Sequence, residues 1–400
     1  MDNNRTYKVI IIGGGASGLM CAASPYFRDI EGDKLLLEGT KKTGTKLLMS
    51  AGGRCNITHD ARGKELLKVY GDKAKKFRKA VYRHGPEELR AFLSDNGINT
   101  VTEEDGRVFP ESMKAADVRE CLVNRSENNN DGGGNNFNIL TEERVTGIEV
   151  EENIYRAITE KSSFLGRNII IATGGMSYPE TGSDGAMLDV LRGMGIDIFP
   201  CRPALVPVTV DNYPYMELAG VSVDARVSVH RDGMKSVHEA GPVLFTHKSF
   251  SGPAVLNISA HADDGARLAI SYIHPVTYDD ALKMTRSIKS GKTLAERFNI
   301  PRSLANILFE RAGDSPKKLA HLLTEDTFVV TGTEGFKNAM VTEGGVALSR
   351  VDESFQSVKY PGIYIIGEAL DISGPTGGYN LQFGWSAAQT AAEKISMGEE

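Results

Sequence analysis

An apolar strand, a glycine triplet, a helix and a second strand ending in an acid follow one another at the start of this chain. The apolar run Val9–Ile12 has no polar alternation, which is typical of a strand buried on both faces of a parallel sheet. It leads into Gly13-x-Gly15-x-x-Gly18, then a helical pattern, then the run "KLLLE", which ends at Glu38. This order predicts a βαβ unit that binds a dinucleotide.

Each part of such a unit has a physical role. The first glycine permits a tight turn, the second lets the backbone approach a pyrophosphate, and the third allows close packing of helix on strand. The start of the helix, at Ala16 and Ser17, offers free N–H groups and partial positive charge to the phosphates. Glu38 is expected to accept hydrogen bonds from the ribose hydroxyls. The unit occurs in both FAD and NAD proteins, so the rest of the chain must decide between them.

The later segments favour FAD. An NAD domain would continue with further βαβ units, whereas Glu38 is followed by the polar, glycine-rich excursion "GTKKTGTKLLMSAGGRCNITHD". Two more buried strands then occur, in "IIIATGG" and "IYIIGEALD". The second of these strands is followed by a glycine and an acidic residue, and then by a glycine-rich loop that leads into a helix. In two-dinucleotide-binding-domain flavoproteins that acid meets the ribityl–phosphate region, and the helix start stabilises negative charge on the reduced flavin.

These segments predict FAD as a bound cofactor; no metal site is expected, and NADH or NADPH as a transient reductant belongs to the reductase hypothesis given below. Arg54 and, less strongly, Lys46 are candidates for neutralising the pyrophosphate or the reduced flavin. Cys55 has no partner cysteine nearby, so packing beside the cofactor is favoured over a redox or nucleophilic role. The predicted cofactor-binding residues are Gly13, Gly15, Ala16, Ser17, Gly18, Glu38, Lys46, Ser50, Gly52, Gly53, Arg54, Cys55, Asn56, Val145, Thr173, Gly174, Gly175, Gly367, Glu368, Asp371, Gly377, Gly378, Tyr379, Asn380, Leu381 and Gln382.

Composition narrows the class of protein. The net charge of −6 argues against a general nucleic-acid binder, which normally carries a basic surplus. The four cysteines form no CxxC pair, which argues against a zinc site and favours a reducing compartment. No apolar run is long enough to span a bilayer. We therefore expect a cytoplasmic protein with a small-molecule substrate, no nucleic-acid partner and no membrane span; the oligomeric state is not predicted.

The order of sequence patterns along the chain predicts an α/β architecture in which one domain is inserted into another. Stretches such as "VSVDARVSVH" and "ARLAISYI" alternate and indicate antiparallel sheet, whereas residues 278–324 are helical and polar. We expect a Rossmann-like FAD-binding domain at 1–199 and 352–400. A β-rich substrate domain is predicted at 200–276 and 326–351, and a helical insertion at 277–325.

Several blocks, in order, carry a family resemblance: "KLLMSAGGRCNITHD", "GRVFPESMKAADV", "IIIATGGMSYPETGSDG", "LFTHKSFSGPAVL" and "GEALDISGPTGGYNLQFGWSAA". With them the chain resembles, from end to end, the BaiN-like family of FAD-dependent oxidoreductases. The resemblance implies an FAD domain, an inserted β-barrel-like domain and a small helical insertion. It also implies reduction of conjugated double bonds, as in steroid-like bile-acid intermediates, or oxidation of small amines.

The leading hypothesis is an NAD(P)H-driven reductase of an activated C=C bond. Hydride would pass through flavin N5 to the β-carbon of an unsaturated carbonyl compound, and an acid or water would protonate the α-carbon. The resemblance implies that His247 lies near the domain junction over the flavin, which makes it a candidate acid; Tyr178 and Tyr379 are alternatives. An amine oxidase that uses dioxygen remains open, and so, less favoured, does an FAD-binding protein acting on RNA or a partner.

Overall fold

The computed structural model describes residues 5–127, 136–152, 154–231 and 235–398. The chain divides into two compact units, the first formed by Met1–Arg202 with Val341–Glu400 and the second by Pro203–Met340. Segment 341–351, assigned from the sequence to the β-rich domain, thus lies in the first unit. The reason is local, because the Thr342 N–H donates to Oε1 of Glu368 over 2.8 Å. The predicted helical insertion lies wholly within the second unit.

The strands of the described residues carry the labels used below. They are β1 (Thr6–Ile12), β2 (Lys34–Leu37), β3 (Thr58–His59), β4 (Thr100–Thr102), β5 (Arg107–Pro110), β6 (Phe137–Leu140), β7 (Val145–Glu151), β8 (Ile154–Thr159), β9 (Ser163–Ile171), β10 (Ile198–Ala204), β11 (Val208–Val210), β12 (Ser222–His230), β13 (Val237–Phe245), β14 (Ser249–Ser251), β15 (Arg267–Ser271), β16 (Asp326–Thr333), β17 (Val341–Val346) and β18 (Ile363–Ile365).

The α-helices are labelled in the same way. They are α1 (Ala16–Ala22), α2 (Pro25–Asp29), α3 (Thr45–Met49), α4 (Lys64–Lys68), α5 (Ala74–Arg83), α6 (Pro86–Asp95), α7 (Ala115–Glu127), α8 (Ala186–Gly193), α9 (Pro253–Ile258), α10 (Tyr278–Thr285), α11 (Gly291–Phe298), α12 (Arg302–Ala312), α13 (Pro316–Thr324) and α14 (Tyr379–Met397). Within the described ranges, no helix is both long and apolar enough to cross a membrane.

The main sheet of the first unit has the order β6-β2-β1-β9-β8-β7, with β18 also paired to β9. The pairs β6–β2, β2–β1, β1–β9 and β9–β18 are parallel, whereas β8 and β7 run antiparallel. Ile10 and Ile11 in β1, and Ile169–Ile171 in β9, have no exposed surface. The apolar runs therefore form the centre of a sheet covered on both faces, as their lack of alternation predicted.

The second unit contains a closed barrel with the order β11-β14-β13-β12-β15-β16. Along β12 every second residue from Val223 to Val229 is buried, so the alternating sequence places one face of each strand in the core. Phe245, Phe250 and Tyr272 are among the buried rings there. The predicted fold class, a Rossmann-like α/β fold with an inserted β-barrel-like domain, is confirmed.

Candidate functional site

The carboxyl ends of four parallel strands open at one edge of the main sheet. Ile12 of β1 pairs with both Leu37 of β2 and Ile171 of β9, and Ile365 of β18 also pairs with Ile171. Matched registers bring the four strand ends level, which is where open α/β sheets bind ligands. The residues that leave this edge are Gly13, Glu38, Ala172 and Ile366.

The three motif glycines differ in what surrounds them. Gly13 has φ +101°, and a Cβ placed on it would lie 2.7 Å from the Ala172 carbonyl oxygen. A Cβ on Gly18 would lie 2.0 Å from the Gly13 carbonyl oxygen. A Cβ on Gly15 would instead meet nothing closer than Ala172 O at 3.9 Å. The first and third glycines therefore permit protein packing, while the second leaves open space in front of α1, which fits the close approach of a pyrophosphate.

Glu38 is held in place by backbone and hydroxyl donors. Its Oε2 accepts from the Gly14 N–H over 2.8 Å, and its Oε1 accepts from the Thr40 N–H and Oγ1 at 2.7 and 2.8 Å. The side chain is nearly buried. The Glu143 N–H donates to the Glu38 carbonyl over 2.9 Å, which brings the start of β7, and with it the predicted residue Val145, to the same edge. An oriented acid beside the glycine turn fits a ribose-binding role.

A second acid, Glu368, stands in a cluster that joins distant segments. Lys46 on α3 donates to its Oε2 over 2.6 Å, while Ser177 Oγ and the Thr342 N–H donate to its Oε1 at 2.6 and 2.8 Å. Lys46 also donates to Ser177. Burial alone would raise the pKa of Glu368, but the Lys46 charge and these hydrogen bonds lower it below its ordinary value. Glu368 is therefore an anion at neutral pH and unsuited to acid catalysis.

The turn after β9 is built for close backbone packing. Gly174 has φ +73° and a Cβ there would lie 2.7 Å from Ser183 Oγ, while a Cβ on Gly175 would lie 2.4 Å from Thr342 Oγ1. Among the described residues, the buried Ser183 Oγ has no hydrogen-bond partner. Thr173 begins this turn and follows Ala172, the first residue after β9. A buried hydroxyl without a partner beside a glycine turn fits a bound polar group.

Gly367, in the loop after β18, and Gly384, within α14, both lie against Ser17 of α1. Gly367 has φ +66° and a Cβ there would lie 2.3 Å from Ser17 Oγ, and a Cβ on Gly384 would lie 2.6 Å from the same oxygen. Asp371 lies just beyond Gly367; its Oδ1 accepts from Lys73 over 2.8 Å and from the Gly344 N–H over 3.1 Å. The predicted cofactor residues Ser17 and Gly367 are thus in contact at the start of α1, and Asp371 is held by Lys73 and Gly344.

The segment from Ser50 to Cys55 is a tight turn with four left-handed residues, at Ala51, Gly52, Gly53 and Cys55. Cys55 has no exposed surface, and burial raises the pKa of its thiol to about 11, although a hydrogen bond with Ser50 opposes the shift. At neutral pH the group is a buried thiol and a poor nucleophile. This geometry is that of a packing residue.

Arg54 already has partners within the protein. Its Nη1 donates to Glu103 over 3.2 Å, and its guanidinium lies 4.6 Å from the centre of the Phe109 ring. Arg107 lies over the same ring and also pairs with Glu103. Two guanidinium groups therefore share one ring and one acid, and Arg54 is paired within the protein beside the small sheet β3-β5-β4.

The polar residues after Cys55 fasten this loop to α14. The Asn56 amide accepts from the Gly378 N–H at 3.0 Å and donates to the Val108 carbonyl at 3.2 Å. Thr58 Oγ1 donates to Gln382 Oε1 over 2.6 Å, and Gln382 has no exposed surface. The Gln382 amide also donates to the His84 carbonyl and to Ser386. The side chains of Asn56 and Gln382, both predicted to bind cofactor, hold the loop against the helix in this structure.

Tyr379 is the first residue of α14 and follows two left-handed glycines, Gly377 and Gly378. Its ring stacks on His59 with centroids 4.9 Å apart and lies edge-on to Tyr70 at 6.4 Å. Burial raises the pKa of its phenol, so the hydroxyl keeps its proton at neutral pH. Asn380 bonds to both the N–H and the carbonyl of Gly374, and Leu381 is half-buried. The helix start is thus held rigidly beside the glycine loop.

The other two candidate acids lie in different surroundings. Tyr178 is half-buried, has φ +51°, and burial raises the pKa of its phenol. His247 belongs to the second unit and lies exposed in the turn between β13 and β14. The structure thus places Tyr178 and Tyr379 in the unit that carries the glycine motif, and His247 in the other.

Sequence reasoning missed four residues that complete the site. Each contacts a predicted residue from a distant position in the chain, and none belongs to a glycine motif. A buried Ser or Thr beside a glycine pair is a weak signal without the fold. These residues are Lys73, Glu103, Ser177 and Thr342.

Residues 7–394 match the family described as "HI0933-like protein Rossmann domain". The chain belongs to the HI0933-like family. Among curated relatives of this family member, a ribosomal RNA dihydrouridine synthase of Escherichia coli K12 is 29% identical, covering 97% of this chain and 98% of its own. A 3-dehydro-bile acid delta(4,6)-reductase of Clostridium scindens is 28% identical, covering 97% and 99%. The resemblance to the BaiN-like family is confirmed.

Solved structures also resemble this HI0933-like chain. A flavocytochrome c3 fumarate reductase in an open conformation has a TM-score of 0.53 at 14% identity, with 99% of this chain and 79% of that chain covered. A 3-ketosteroid-delta4-(5alpha)-dehydrogenase from Rhodococcus jostii RHA1 has a TM-score of 0.52 at 14% identity, with 99% and 98% covered. At this level of identity the likeness concerns the fold.

Proposed function

We propose that this HI0933-like protein is an FAD-dependent oxidoreductase that reduces a C=C bond conjugated with a carbonyl group. The observation that carries the proposal is a chemistry shared by two curated relatives with unlike substrates. One is named for the delta(4,6) double bonds of a 3-dehydro bile acid, and the other for dihydrouridine, in which the C5=C6 bond of uracil is saturated. The diene and the uracil bond are each conjugated with a carbonyl group, so the bond type, rather than the molecule, is common to the two substrates.

The residues at the sheet edge fit FAD. The space in front of Gly15, the oriented Glu38 carboxylate and the unpartnered Ser183 hydroxyl match a pyrophosphate, a ribose and a polar ligand atom, respectively. When bound, FAD would supply hydride transfer from NADH or NADPH to the electron-poor β-carbon. The site residues would hold it at α1, at Glu38 and at the loop before α14.

The chain's own groups supply position and a proton. Glu368 is an anion beside Lys46, and Asp371 pairs with Lys73, so the two acids fix the loop after β18. Free N–H groups at the start of α14 favour negative charge in front of the helix. Tyr379, stacked on His59 and edge-on to Tyr70 at the start of α14, is our choice of donor for the α-carbon, because its phenol is protonated at neutral pH and the residue adjoins the glycine loop.

Spectroscopy tests the proposal. We expect the purified protein to be yellow or to become so with FAD, and NADH or NADPH to bleach it without oxygen. A simple unsaturated ketone such as 2-cyclohexenone should then restore the colour and yield the saturated ketone. A saturated ketone serves as the matched control. Failure to take up FAD, or bleached protein reoxidised by oxygen but never by the enone, would overturn the reductase assignment; peroxide formed from amines in air would point to an oxidase.

A further inference from the structure

His59 packs face to face on Tyr379, the proton donor proposed above. The ring centroids lie 4.9 Å apart and the two ring planes are inclined by 14°. His59 is the last residue of β3 and Tyr379 the first of α14, so this contact joins the small sheet β3-β5-β4 to the helix. Neither the glycine motifs nor the proposed reaction assigns His59 a role.

Backbone contacts hold the His59 ring in its position. Its Nε2 lies 3.1 Å from the Asp105 carbonyl oxygen, and because a carbonyl only accepts, Nε2 carries the hydrogen of that bond. Gly106 has φ +83°, and a Cβ there would lie 2.4 Å from Cε1 of His59. The turn that carries Asp105 is itself fixed, since the Asp60 N–H donates to the Gly106 carbonyl over 2.8 Å and the Gly106 N–H to the Glu103 carbonyl over 2.9 Å.

The Tyr379 ring is enclosed on other sides as well. Tyr70 lies edge-on to it and donates to the Tyr379 carbonyl over 2.7 Å. A Cβ on Gly377, which has φ +121°, would lie 3.0 Å from Cε2 of Tyr379 and 3.5 Å from Cδ2 of His59. The backbone of Gly377 therefore lies against both stacked rings. These contacts restrict the side-chain torsions of Tyr379, and removal of His59 would uncover one face of its ring.

The polar atoms of His59 do not suit it to be an acid. Within the part of the chain that the structure describes, its Nδ1 is buried and has no hydrogen-bond partner. A second proton, on Nδ1, would be a buried charge without an acceptor. The stack also presents the face of the imidazole, and not one of its N–H groups, to the Tyr379 ring. The contact therefore transmits position and not a proton.

Position decides the rate of the step that Tyr379 is proposed to perform. A proton donor must lie within about 3 Å of the atom that it protonates, and a misplacement of about 1 Å costs up to about 10²-fold in rate. A stacked pair of rings favours one side-chain position over another by up to about tenfold. Loss of the stack should therefore slow proton transfer without removing the proton donor.

We infer that His59 is a positioning residue, which fixes the Tyr379 phenol for proton transfer to the substrate through the stack of the two rings. The inference rests on the proposed function, in which Tyr379 supplies the proton to the α-carbon. It gives the small sheet a part in the reaction, because the turn at Asp105 and Gly106 holds His59 in place. It also confines the effect of His59 to the half-reaction in which Tyr379 acts.

The test compares the two half-reactions of the full-length, FAD-loaded protein. The protein is bleached with NADH or NADPH without oxygen and then mixed with 2-cyclohexenone, and flavin absorbance gives both rates. In His59→Ala, reoxidation by the enone is expected to slow about tenfold. FAD content, the bleaching rate and the enone concentration at half-maximal rate should stay within about twofold of the wild type, because Tyr379 acts in none of them.

Two further variants serve as controls. His59→Gln keeps a planar amide that can donate to the Asp105 carbonyl and lie flat on the phenol, so it should recover most of the reoxidation rate. The matched control is His230→Ala. His230 is also half-buried, is the last residue of β12, and has a ring hydrogen bond to Ser236, but it belongs to the second unit. Its removal should leave both rates unchanged.

A double variant shows whether His59 acts through Tyr379. If it does, adding His59→Ala to Tyr379→Phe causes no further loss, because the hydroxyl that the stack positions is already absent. Losses that multiply would overturn the inference, as would wild-type reoxidation in His59→Ala. Equal slowing of bleaching and reoxidation would reduce His59 to a structural role. A rate in His59→Gln as low as in His59→Ala would show that the imidazole itself transfers a proton, which also contradicts the inference.

A second measurement does not depend on the reaction. The protein is labelled with 3-fluorotyrosine, and the fluorine NMR signal of Tyr379 is identified by its absence in Tyr379→Phe. Loss of the stacked ring in His59→Ala should shift this signal, whereas His230→Ala should leave it in place. If the signal shifts but the wild type never reduces the enone, the proposed reaction is wrong and the positioning contact stands. If the signal does not shift, the positioning role is wrong even where the enone is reduced.

Discussion

The Nζ atom of Lys46 lies 2.6 Å from Oε2 of Glu368, although 322 positions separate the two residues in the chain. The pair is about three-quarters buried, and Ser177 and the Thr342 N–H share the same carboxylate. It therefore links α3, the turn after β9, the start of β17 and the loop after β18. Breaking it removes a contact that these four segments share.

The pH dependence of stability follows from this pair. Because the folded-state pKa of Glu368 is lowered from 4.5, its stabilising contribution is complete above about pH 4.5 and is lost as the pH falls further. In Lys46→Met the cation is gone and burial dominates, so the pKa of Glu368 is raised and its charge is destabilising at neutral pH. We expect the Tm of Lys46→Met to be several degrees lower at pH 7, with the difference narrowing towards pH 4.

The control for that experiment is the double variant Lys46→Met/Glu368→Gln. It removes the unpaired buried charge while retaining shape, so much of the lost Tm at pH 7 should return. Thermal melts between pH 4 and 8 provide the measurement. Parallel Tm curves for the wild type and Lys46→Met would show that the pair contributes no pH-dependent stability.

Gly15→Ala separates cofactor binding from folding. Gly15 has φ −73°, which alanine adopts freely, and the new methyl group would meet no protein atom closer than 3.9 Å. The apoprotein should therefore melt at the wild-type temperature. Because the methyl group occupies the space proposed for the pyrophosphate, we expect FAD affinity to fall about tenfold or more, which is about 1.4 kcal/mol. Titration of apoprotein with FAD measures this, and Gly193→Ala, at a position with nothing within 4 Å, is the control.

Cys55 should be chemically inert. Its complete burial and a thiol pKa of about 11 predict very slow alkylation by iodoacetamide at pH 7. The half-exposed Cys201 should react first, as mapped by peptide mass spectrometry. Cys55→Ser should keep FAD content and enone turnover within about twofold of the wild type, because Ser differs little in volume. Loss of turnover with FAD retained would assign Cys55 a direct role.

The two phenols give a paired test of the proton donor. Tyr379→Phe keeps the ring that stacks on His59 and removes only the hydroxyl. We expect enone reduction to fall about 10²-fold or more, while FAD content and the NADPH-driven bleaching rate remain. Tyr178→Phe should retain turnover. If the losses are reversed, Tyr178 is the donor; if neither variant is slower, water or another group supplies the proton.

The parts of the fold that depend on local pattern were predictable from the sequence. The buried runs at Val9–Ile12 and Ile169–Ile171 lie in the parallel sheet, and the alternation in β12 marks a barrel strand. Roles that depend on distant contacts were not. Arg54 looks available for a ligand until Glu103 and Phe109, about fifty residues later, are placed beside it.

The effect of distant contacts also limits what the sequence says about surface charge and about amide side chains. A net charge of −6 conceals the exposed lysines and arginines of α5, because the sum takes no account of where the charges lie. Gln382 follows the glycine loop in the sequence as a cofactor ligand would, yet helix geometry turns it inwards onto Thr58. Periodicity fixes which face a residue occupies, but only the packed neighbours decide whether its polar atoms remain available for a ligand.

The order of the chain has a consequence for biosynthesis. Residues 1–202 leave the ribosome without β18, Glu368, Asp371 and α14, all of which belong to segment 341–400. The whole of Pro203–Met340 is translated in between. Until segment 341–400 has been synthesised, the first unit lacks β18, the strand that pairs with Ile169–Ile171 of β9, and Lys46 lacks its partner Glu368. We therefore expect FAD to bind only after residues 341–400 have been synthesised, so a product truncated before residue 341 should be colourless.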